Sequence, residues 1–229
     1  MTAQAAAELA RRIDISCVRA QHGEADVRQL AAEATRWHCI NAHVLPNWLP
    51  LLRDLVSGSD TLAAAPVGFP SGGASTRTKV FEAEQLVEMG VEELDVVMNI
   101  GRFIDGDHGC VADELCRVMD VVPARIPVKV IIEVSLLTNE QIRSASRLVA
   151  ESGAAFVKSG TGWSGPVTVV AVETIATALS DCGADQVQIK AAGGIRTPLD
   201  IAQLSAAGAT RFGIGLMAAV SILEETQRQ

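Results

Sequence analysis

The sequence predicts a single-domain (β/α)8 TIM barrel over residues 1–229, and three observations support this fold class. Short apolar runs alternate eight times with longer segments of helical periodicity. Several runs are apolar on both faces, as expected for parallel strands covered by helices. No low-complexity linker divides the chain, whose length is ordinary for one barrel. The predicted strands lie within residues 15–20, 38–44, 61–69, 93–101, 128–136, 154–160, 186–194 and 210–215.

Two of the predicted helices show both of their ends in the sequence. The segment TNEQIRSASRLVAESG begins at Thr138, whose side chain can cap a helix, and stops at Gly153. The segment TPLDIAQLSAAG begins with Thr197 before Pro198 and stops at Gly208. An open doubly wound sheet is the alternative fold, and it is weaker because no GxGxxG motif follows the first strand.

Composition and charge exclude several classes of function. The chain has 19 basic and 27 acidic residues, and a net charge of −8 argues against nucleic acid or an anionic membrane as a partner. The five cysteines are odd in number and form no CxxC pair, which favours reduced thiols in a cytoplasmic protein. The N-terminal segment MTAQAAAELARRID has no apolar core, so we interpret it as a first helix rather than a signal peptide.

Charged side chains interrupt four successive apolar runs. Because side chains alternate along a strand, each run places its charged groups on one face, and in a barrel that face points inward. The groups are Glu93, Asp95, Lys129, Glu133, Lys158 and Lys190. The structural alternative is that these groups are solvated strand ends or an ion-pair network without chemistry.

Such a cluster permits lysine chemistry. A lysine attacks a carbonyl group only as the free amine, so its pKa must fall below the usual value of about 10.4. Burial and a neighbouring ammonium group both lower that pKa, and a carboxylate can transfer protons. Lys158, Lys190 and Asp95 supply these three parts, although spacing alone leaves open which lysine is the nucleophile.

Glycine-rich loops follow three of the predicted strands: SGTGWSG, AAGGIRTP and FGIG. Glycine lets backbone N–H groups approach an anion, and barrels often bind phosphate with the loops after the seventh and eighth strands. The alternative is that each loop is only a tight turn. The candidate phosphate-binding or substrate-binding residues are Gly162, Gly193, Gly194, Ile195, Arg196 and Gly213.

No metal site or cofactor site is predicted. The four histidines have no ligand spacing and no HExxH motif is present, so a zinc-dependent aldolase is disfavoured. His43, at the end of the second strand, could reach a site, but we expect it to be a surface or rim residue. Cys39, within the same strand, is expected to serve packing.

Six segments, in order and from about Ile13 to Gly213, closely resemble the deoxyribose-phosphate aldolase family. They are GFPSGG (68–73), KVFEAEQLVEMGVEELDVVMNIG (79–101), VKVIIEVSLLT (128–138), FVKSGTGW (156–163), IKAAGGIRT (189–197) and GATRFG (208–213). The resemblance implies a class I aldolase on a (β/α)8 barrel that needs no cofactor. The implied reaction is the reversible cleavage of 2-deoxy-D-ribose 5-phosphate to acetaldehyde and D-glyceraldehyde 3-phosphate.

The resemblance also assigns roles to particular residues. It places the Schiff-base lysine on Lys158, the second lysine on Lys190 and the catalytic aspartate on Asp95. Three further residues match positions that support the water and proton network in the family, namely Asp14, Lys129 and Thr161. Association into a homodimer is compatible with the resemblance.

The sequence departs from the family at the phosphate end. Gly215 and Leu216 stand where serine hydroxyls commonly hold the phosphate, and Ser16 stands where the family has a threonine-type hydroxyl. These departures keep two alternatives open. The first is a Schiff-base aldolase acting on another substrate, such as a non-phosphorylated sugar or a keto acid. The second is a barrel that binds a small ligand without turnover.

Overall fold

A computed structural model describes residues 3–228 and shows a closed barrel of eight parallel strands. Neighbouring strands follow the order of the sequence, and β8 pairs with β1. The strands are β1 (Ile13–Cys17), β2 (Asn41–Val44), β3 (Leu62–Val67), β4 (Glu93–Val97), β5 (Val128–Ile131), β6 (Phe156–Lys158), β7 (Gln188–Ala192) and β8 (Arg211–Gly215). The predicted fold class is confirmed. Each predicted run overlaps one strand, and the first strand begins earlier than predicted.

Helices connect the strands and cover the barrel. They are α1 (Ala3–Ala10), α2 (Glu24–Trp37), α3 (Leu49–Val56), α4 (Thr76–Glu88), α5 (Ile100–Ile104), α6 (His108–Val121), α7 (Asn139–Glu151), α8 (Val169–Asp181), α9 (Pro198–Ala206) and α10 (Leu216–Arg228). The predicted caps are confirmed, because the hydroxyls of Thr138 and Thr197 accept backbone N–H groups at the starts of α7 and α9. Among residues 3–228, no helix is long and apolar enough to cross a membrane.

The strand alternation divides the barrel into two environments. Apolar residues such as Val96, Val130 and Val157 are buried in the core between the sheet and the helices. The intervening residues of the same strands carry the charged groups, and the strand register aligns them. Asp95 of β4 lies opposite Lys129 of β5, and Lys158 of β6 lies opposite Lys190 of β7. The barrel therefore places its polar residues side by side in its interior.

A buried ion pair also lies outside the barrel. Lys79 of α4 is fully buried, and its ammonium group donates to the Glu114 carboxylate of α6 at 2.5 Å and to the carbonyl oxygen of Val97 at 2.8 Å. The Lys79 side chain thus ties two helices to the end of β4. Burial lowers the pKa of Lys79, and the bond to Glu114 opposes that shift.

We expect Lys79→Met to lower the free energy of unfolding by about 3–5 kcal/mol, because it leaves the Glu114 carboxylate buried without its partner. Urea denaturation followed by circular dichroism measures this change. The control is Arg28→Met, which breaks the exposed pair of Arg28 with Glu24 at 2.7 Å and should cost no more than about 0.5 kcal/mol. Equal losses for the two variants would contradict a structural role for the buried pair.

Candidate active site

One network of charged side chains fills the polar interior of the barrel. Each member is less than one-tenth exposed and forms an ion pair with another member. In the described part of the chain, this network contains four cations and three carboxylates. The cations are Lys129, Lys158, Lys190 and Arg211, and the carboxylates are Asp14, Glu93 and Asp95.

Asp95 is the centre of the part of the network that contains Lys158 and Lys190. Its Oδ2 atom accepts hydrogen bonds from Lys158 Nζ at 2.6 Å and from Lys190 Nζ at 2.7 Å. Its Oδ1 atom lies 3.5 Å from Lys129 Nζ. Burial opposes the charge of this carboxylate, but Lys158 and Lys190 outweigh burial and hold its pKa well below the usual value. Asp95 is therefore an anion at neutral pH.

The two lysines that share Asp95 have opposite protonation properties. Burial opposes the charge of Lys190, but its ion pairs with Asp14 at 2.5 Å and with Asp95 raise its pKa above the usual value. Burial lowers the pKa of Lys158 to about 8, and the charge of Lys190 adds to this effect while Asp95 opposes it. At pH 7 about one-tenth of Lys158 is then the free amine, against roughly 0.03% for an ordinary lysine. Of the two lysines, Lys158 is the better nucleophile.

A second set of contacts in the network, made by Glu93 and Arg211, holds these groups in place. Glu93 accepts from Lys129 at 2.5 Å and from Arg211 at 2.7 Å, and it also accepts a hydrogen bond from the Asn41 side chain. Arg211 also donates a hydrogen bond to Asp14 of the neighbouring strand β1 at 2.6 Å. Sequence reasoning missed Arg211, although the alternation in β8 places it on the same face as Gly213. The alternation of side chains could therefore have assigned Arg211 to the inward face, as it did for the charged residues of the other strands.

Thr161 lies in the loop after β6, and Glu133 holds it there. The Thr161 hydroxyl donates to a Glu133 carboxylate oxygen at 2.5 Å, and its backbone N–H group also points to that carboxylate. A β-carbon on Gly160 would come within 2.6 Å of Glu133, so the loop can approach this carboxylate closely only with glycine at that position. Thr161 therefore lines the cavity above Lys158 in a fixed position.

A cavity of about 140 Å³ opens above the network at the carboxyl ends of the strands. Lys158, Lys190, Asp14 and Thr161 line it. Five of the six residues predicted for phosphate or substrate binding also line it: Gly162, Gly193, Gly194, Ile195 and Gly213. A β-carbon on Gly213 would lie 2.9 Å from the Ala192 β-carbon and 3.2 Å from Lys190 Cε, so glycine is required for this close approach.

The structure places Arg196, the sixth predicted residue, outside the cavity lining. Its side chain is exposed, and its backbone N–H group donates to Asp200 at the start of α9. The arginine that does line the cavity is Arg19, in the loop after β1. Arg19 Nη2 donates to the carbonyl oxygen of Gly162 at 2.8 Å, and its guanidinium carbon lies 5.0 Å from the centre of the Trp163 ring. Sequence reasoning did not identify Arg19 as a site residue. It included Arg19 in the predicted first strand, whereas β1 ends at Cys17 and Arg19 lies in the loop that follows.

The expectation that His43 is a surface or rim residue is wrong. Its side chain is buried within the barrel, and Nε2 lies 3.7 Å from Asp95 Oδ2. Burial lowers the pKa of His43 to about 3, which keeps the ring neutral at pH 7. Cys39 is buried in the hydrophobic core as predicted, and burial raises the pKa of its thiol to about 12.

His43 also belongs to a group of side chains with potential ligand atoms. Asp14, His43 and Asp95 present such atoms within 4.8 Å of one another. The ammonium group of Lys190 lies 2.5 Å from Asp14 and 2.7 Å from Asp95, so it already forms an ion pair with each of these carboxylates. Asp14 and Asp95 therefore act as partners of lysine in this arrangement.

Comparison with known proteins gives a consistent set of relatives. No family model matches the chain. A deoxyribose-phosphate aldolase of Rhizobium meliloti is 50% identical over 224 residues, which cover 95% of this chain and 87% of the relative. A deoxyribose-phosphate aldolase of Klebsiella pneumoniae is 40% identical over 223 residues, covering 96% of this chain and 88% of the relative.

The solved structures agree with these relatives. The tetrameric deoxyribose phosphate aldolase of Aeropyrum pernix matches with a TM-score of 0.86 at 28% identity, covering 97% of this chain and 92% of that chain. The aldolase QR15 matches with a TM-score of 0.88 at 27% identity and covers 95% of both chains. The similarity therefore extends over the whole barrel.

The arrangement around Lys158 makes a prediction about pH. In the unaltered protein, labelling of Lys158 by acetaldehyde and cyanoborohydride should rise with pH with a midpoint near 8. Lys190→Leu removes the neighbouring positive charge that lowers the pKa of Lys158. It also leaves Lys158 as the one lysine that donates a hydrogen bond to Asp95 Oδ2, and this too raises the pKa of Lys158. We expect the midpoint to move upward by at least about one pH unit.

Peptide mass spectrometry across a pH series measures this labelling. Lys190→Arg is the control because it keeps the charge, and its midpoint should stay near that of the unaltered protein. If both variants showed the same midpoint as the unaltered protein, the charge of residue 190 would not set the pKa of Lys158.

Proposed function

The chain belongs to the deoxyribose-phosphate aldolase family, and on that premise we propose that it cleaves 2-deoxy-D-ribose 5-phosphate reversibly to acetaldehyde and D-glyceraldehyde 3-phosphate. The observation that carries this proposal is the position of Lys158, a buried lysine of lowered pKa at the floor of the cavity. Lys158 would form the Schiff base with the sugar aldehyde.

The first step joins the substrate to the protein. The free amine of Lys158 attacks the aldehyde carbon C1, and the resulting carbinolamine loses water to give a protonated imine. Asp95, which lies 2.6 Å from Lys158 Nζ, is placed to exchange protons during this dehydration. Lys190 remains protonated beside it and favours the unprotonated form of Lys158 before attack.

The second step breaks the bond between C2 and C3. The electron pair of this bond moves toward the imine nitrogen and forms an enamine, while the C3 hydroxyl loses its proton and becomes the carbonyl group of D-glyceraldehyde 3-phosphate. We assign the acceptance of this proton to Asp95, because its carboxylate lies nearest to the reacting nitrogen. Protonation of the enamine at C2 and hydrolysis of the imine then release acetaldehyde and restore Lys158.

The remaining buried charges support these steps. Asp14 and Asp95 hold the Lys190 ammonium between them, and Lys129 lies within 3.7 Å of Asp14 and 3.5 Å of Asp95. Truncating any of these groups would leave a buried charge without its partner. We therefore propose that Asp14 and Lys129 act through the positions and charges of Asp95 and Lys190.

We propose that the phosphate group lies in the glycine-lined part of the cavity. Gly215 lines this cavity without a hydroxyl, and Leu216 is buried at the start of α10, so neither residue can donate from its side chain. Arg19 lines the same cavity and supplies a positive charge. This charge, together with relatives named deoxyribose-phosphate aldolase at 40–50% identity, favours a phosphorylated substrate over the non-phosphorylated, keto-acid and non-catalytic alternatives.

We also propose that the protein is cytoplasmic, as its cysteines suggest. All five are free in the structure, and Cys17 and Cys39 are buried with pKa values raised by burial to about 12. Such thiols are typical of a reducing compartment. Association into a homodimer stays a prediction.

Reductive trapping tests the proposed mechanism. Incubation with acetaldehyde and borohydride should add one ethyl group to Lys158, which mass spectrometry of the digested protein locates. Lys158→Met should abolish trapping and lower the cleavage of deoxyribose 5-phosphate by at least about 10⁴-fold, because no other group forms the imine. A labelled Lys190 with an unlabelled Lys158 would contradict the assignment.

The role of Arg19 is tested by separating charge from position. Arg19→Gln can keep a hydrogen bond to the Gly162 carbonyl but loses the charge, so we expect kcat/KM for deoxyribose 5-phosphate to fall about 10–100-fold, as for the loss of a charged hydrogen bond. The value for 2-deoxyribose, which lacks phosphate, should change less than about threefold. Arg196→Gln is the matched control and should change neither value. A selective loss with Arg196→Gln instead would move the phosphate site to the start of α9.

A further inference from the structure

We propose that His43 donates a hydrogen bond to the oxygen atom on C3 of the substrate, the atom that alternates between hydroxyl and carbonyl in the reaction. The inference rests on the proposed function and extends it, since it adds a neutral imidazole to the groups that contact the reacting atoms.

The position of the ring supports this role. His43 lies in β2, opposite Ser16 of β1 and Ala64 of β3, and only 3% of its surface is exposed. It lines the cavity together with Lys158 and Lys190. Neither ring nitrogen has a hydrogen-bond partner within the described residues. Because buried polar atoms are normally paired, an unpaired Nε2 beside the cavity points to a partner that the substrate supplies.

The distance to Asp95 fits an oxygen shared by both groups. His43 Nε2 and Asp95 Oδ2 are 3.7 Å apart, which is too long for a direct hydrogen bond. An oxygen atom placed beside this pair can lie at about 2.8 Å from each of them. Oδ2 also contacts Lys158 Nζ, and C3 carries its oxygen four bonds from that nitrogen in the Schiff base. The chain from Nζ to this oxygen is long enough to fold back toward Oδ2.

The charge state of the ring fits a donor rather than a base. The charged groups near it are Asp14, Asp95, Lys158, Lys190 and Lys129, and burial together with the three lysines outweighs the attraction of Asp95. The imidazole is therefore neutral and is a poor proton acceptor at pH 7. A neutral imidazole can polarise a carbonyl group by donating its N–H, as described for triosephosphate isomerase.

The proton balance of the step assigns separate tasks to His43 and Asp95. During cleavage the C3 hydroxyl gives its proton to Asp95 Oδ2, its O–H electron pair forms the new C=O bond, and the C2–C3 pair forms the enamine. His43 keeps its proton on Nε2 and stabilises the negative charge that develops on the oxygen. In condensation the same N–H polarises the aldehyde carbonyl before the enamine attacks. Formation of the Schiff base removes two of the three N–H groups of Lys158 and so frees Oδ2 for the hydroxyl.

The experiment separates enamine formation from the making and breaking of the C–C bond. Exchange of the acetaldehyde methyl hydrogens in D₂O, followed by proton NMR, requires Lys158 and the enamine but no acceptor. Cleavage of deoxyribose 5-phosphate and self-addition of acetaldehyde to 3-hydroxybutanal both require the C3 oxygen or its equivalent. His43→Leu removes the donor, whereas His43→Gln keeps an N–H group.

We expect His43→Leu to lower cleavage and self-addition about 10²–10³-fold, the usual loss on removing one donor to a developing oxyanion. Hydrogen exchange should stay within about threefold of the unaltered protein, and His43→Gln should recover at least about tenfold of the lost rate. Cleavage within about threefold of the unaltered value would overturn the inference. A parallel loss of exchange and cleavage would overturn it too, because His43 would then act on Lys158 or on the fold.

Two further results keep the test decisive. If circular dichroism shows that His43→Leu does not fold, His43→Phe takes its place in the test, because phenylalanine keeps a flat ring without nitrogen. If neither variant folds, the ring nitrogens serve the fold and the inference is wrong. If the unaltered protein adds acetaldehyde to itself but does not cleave deoxyribose 5-phosphate, the proposed substrate fails. The role of His43 is then decided by the self-addition rates alone.

Discussion

The excess of positive charge inside the barrel is the constraint on which the site depends. Four buried cations share three carboxylates, and an uncompensated charge is costly in a medium of low dielectric constant. Among residues 3–228, Lys129 contacts three carboxylates, Lys190 and Arg211 each contact two, and Lys158 contacts Asp95 alone. Loss of a proton therefore costs least at Lys158. The same imbalance of charge contributes to the lowered pKa of the lysine beside the cavity.

The network also includes residues that hold Asp95 and Lys190 in position without lining the cavity themselves. Arg211 of β8 bridges Asp14 of β1 and Glu93 of β4, and Glu93 in turn accepts from Lys129 of β5. The contact between Arg211 and Glu93 crosses the barrel, whereas the other two join neighbouring strands. Each one fixes the position of a carboxylate, and the carboxylates fix the Lys190 ammonium. A catalytic geometry held by rigid strands is more exact than one held by loops.

How far the sequence predicts this site follows from where each residue lies. The alternation of side chains along β4, β5, β6 and β7 placed Asp95, Lys129, Lys158 and Lys190 on one inward face, and the structure confirms that they meet. No periodicity governs loops, so Arg196 was chosen only for its place after two glycines. Arg19 was included in the predicted first strand, although β1 ends at Cys17 and leaves Arg19 in a loop. His43 was misjudged because a histidine at the end of a strand is usually solvated, and its burial depends on strands paired beside it.

The division between strands and loops also determines which departures from a family pattern matter. In the interior the register fixes every charged position, so Asp95, Lys158 and Lys190 cannot move to other strands without losing their mutual contacts. At the mouth of the barrel, loops from different strands converge on one cavity, and Arg19 after β1 contacts Gly162 after β6. A positively charged side chain can therefore reach this cavity from any loop in the ring. Gly215 therefore brings no hydroxyl to the cavity, whereas Arg19, in the loop after β1, brings a positive charge to its lining.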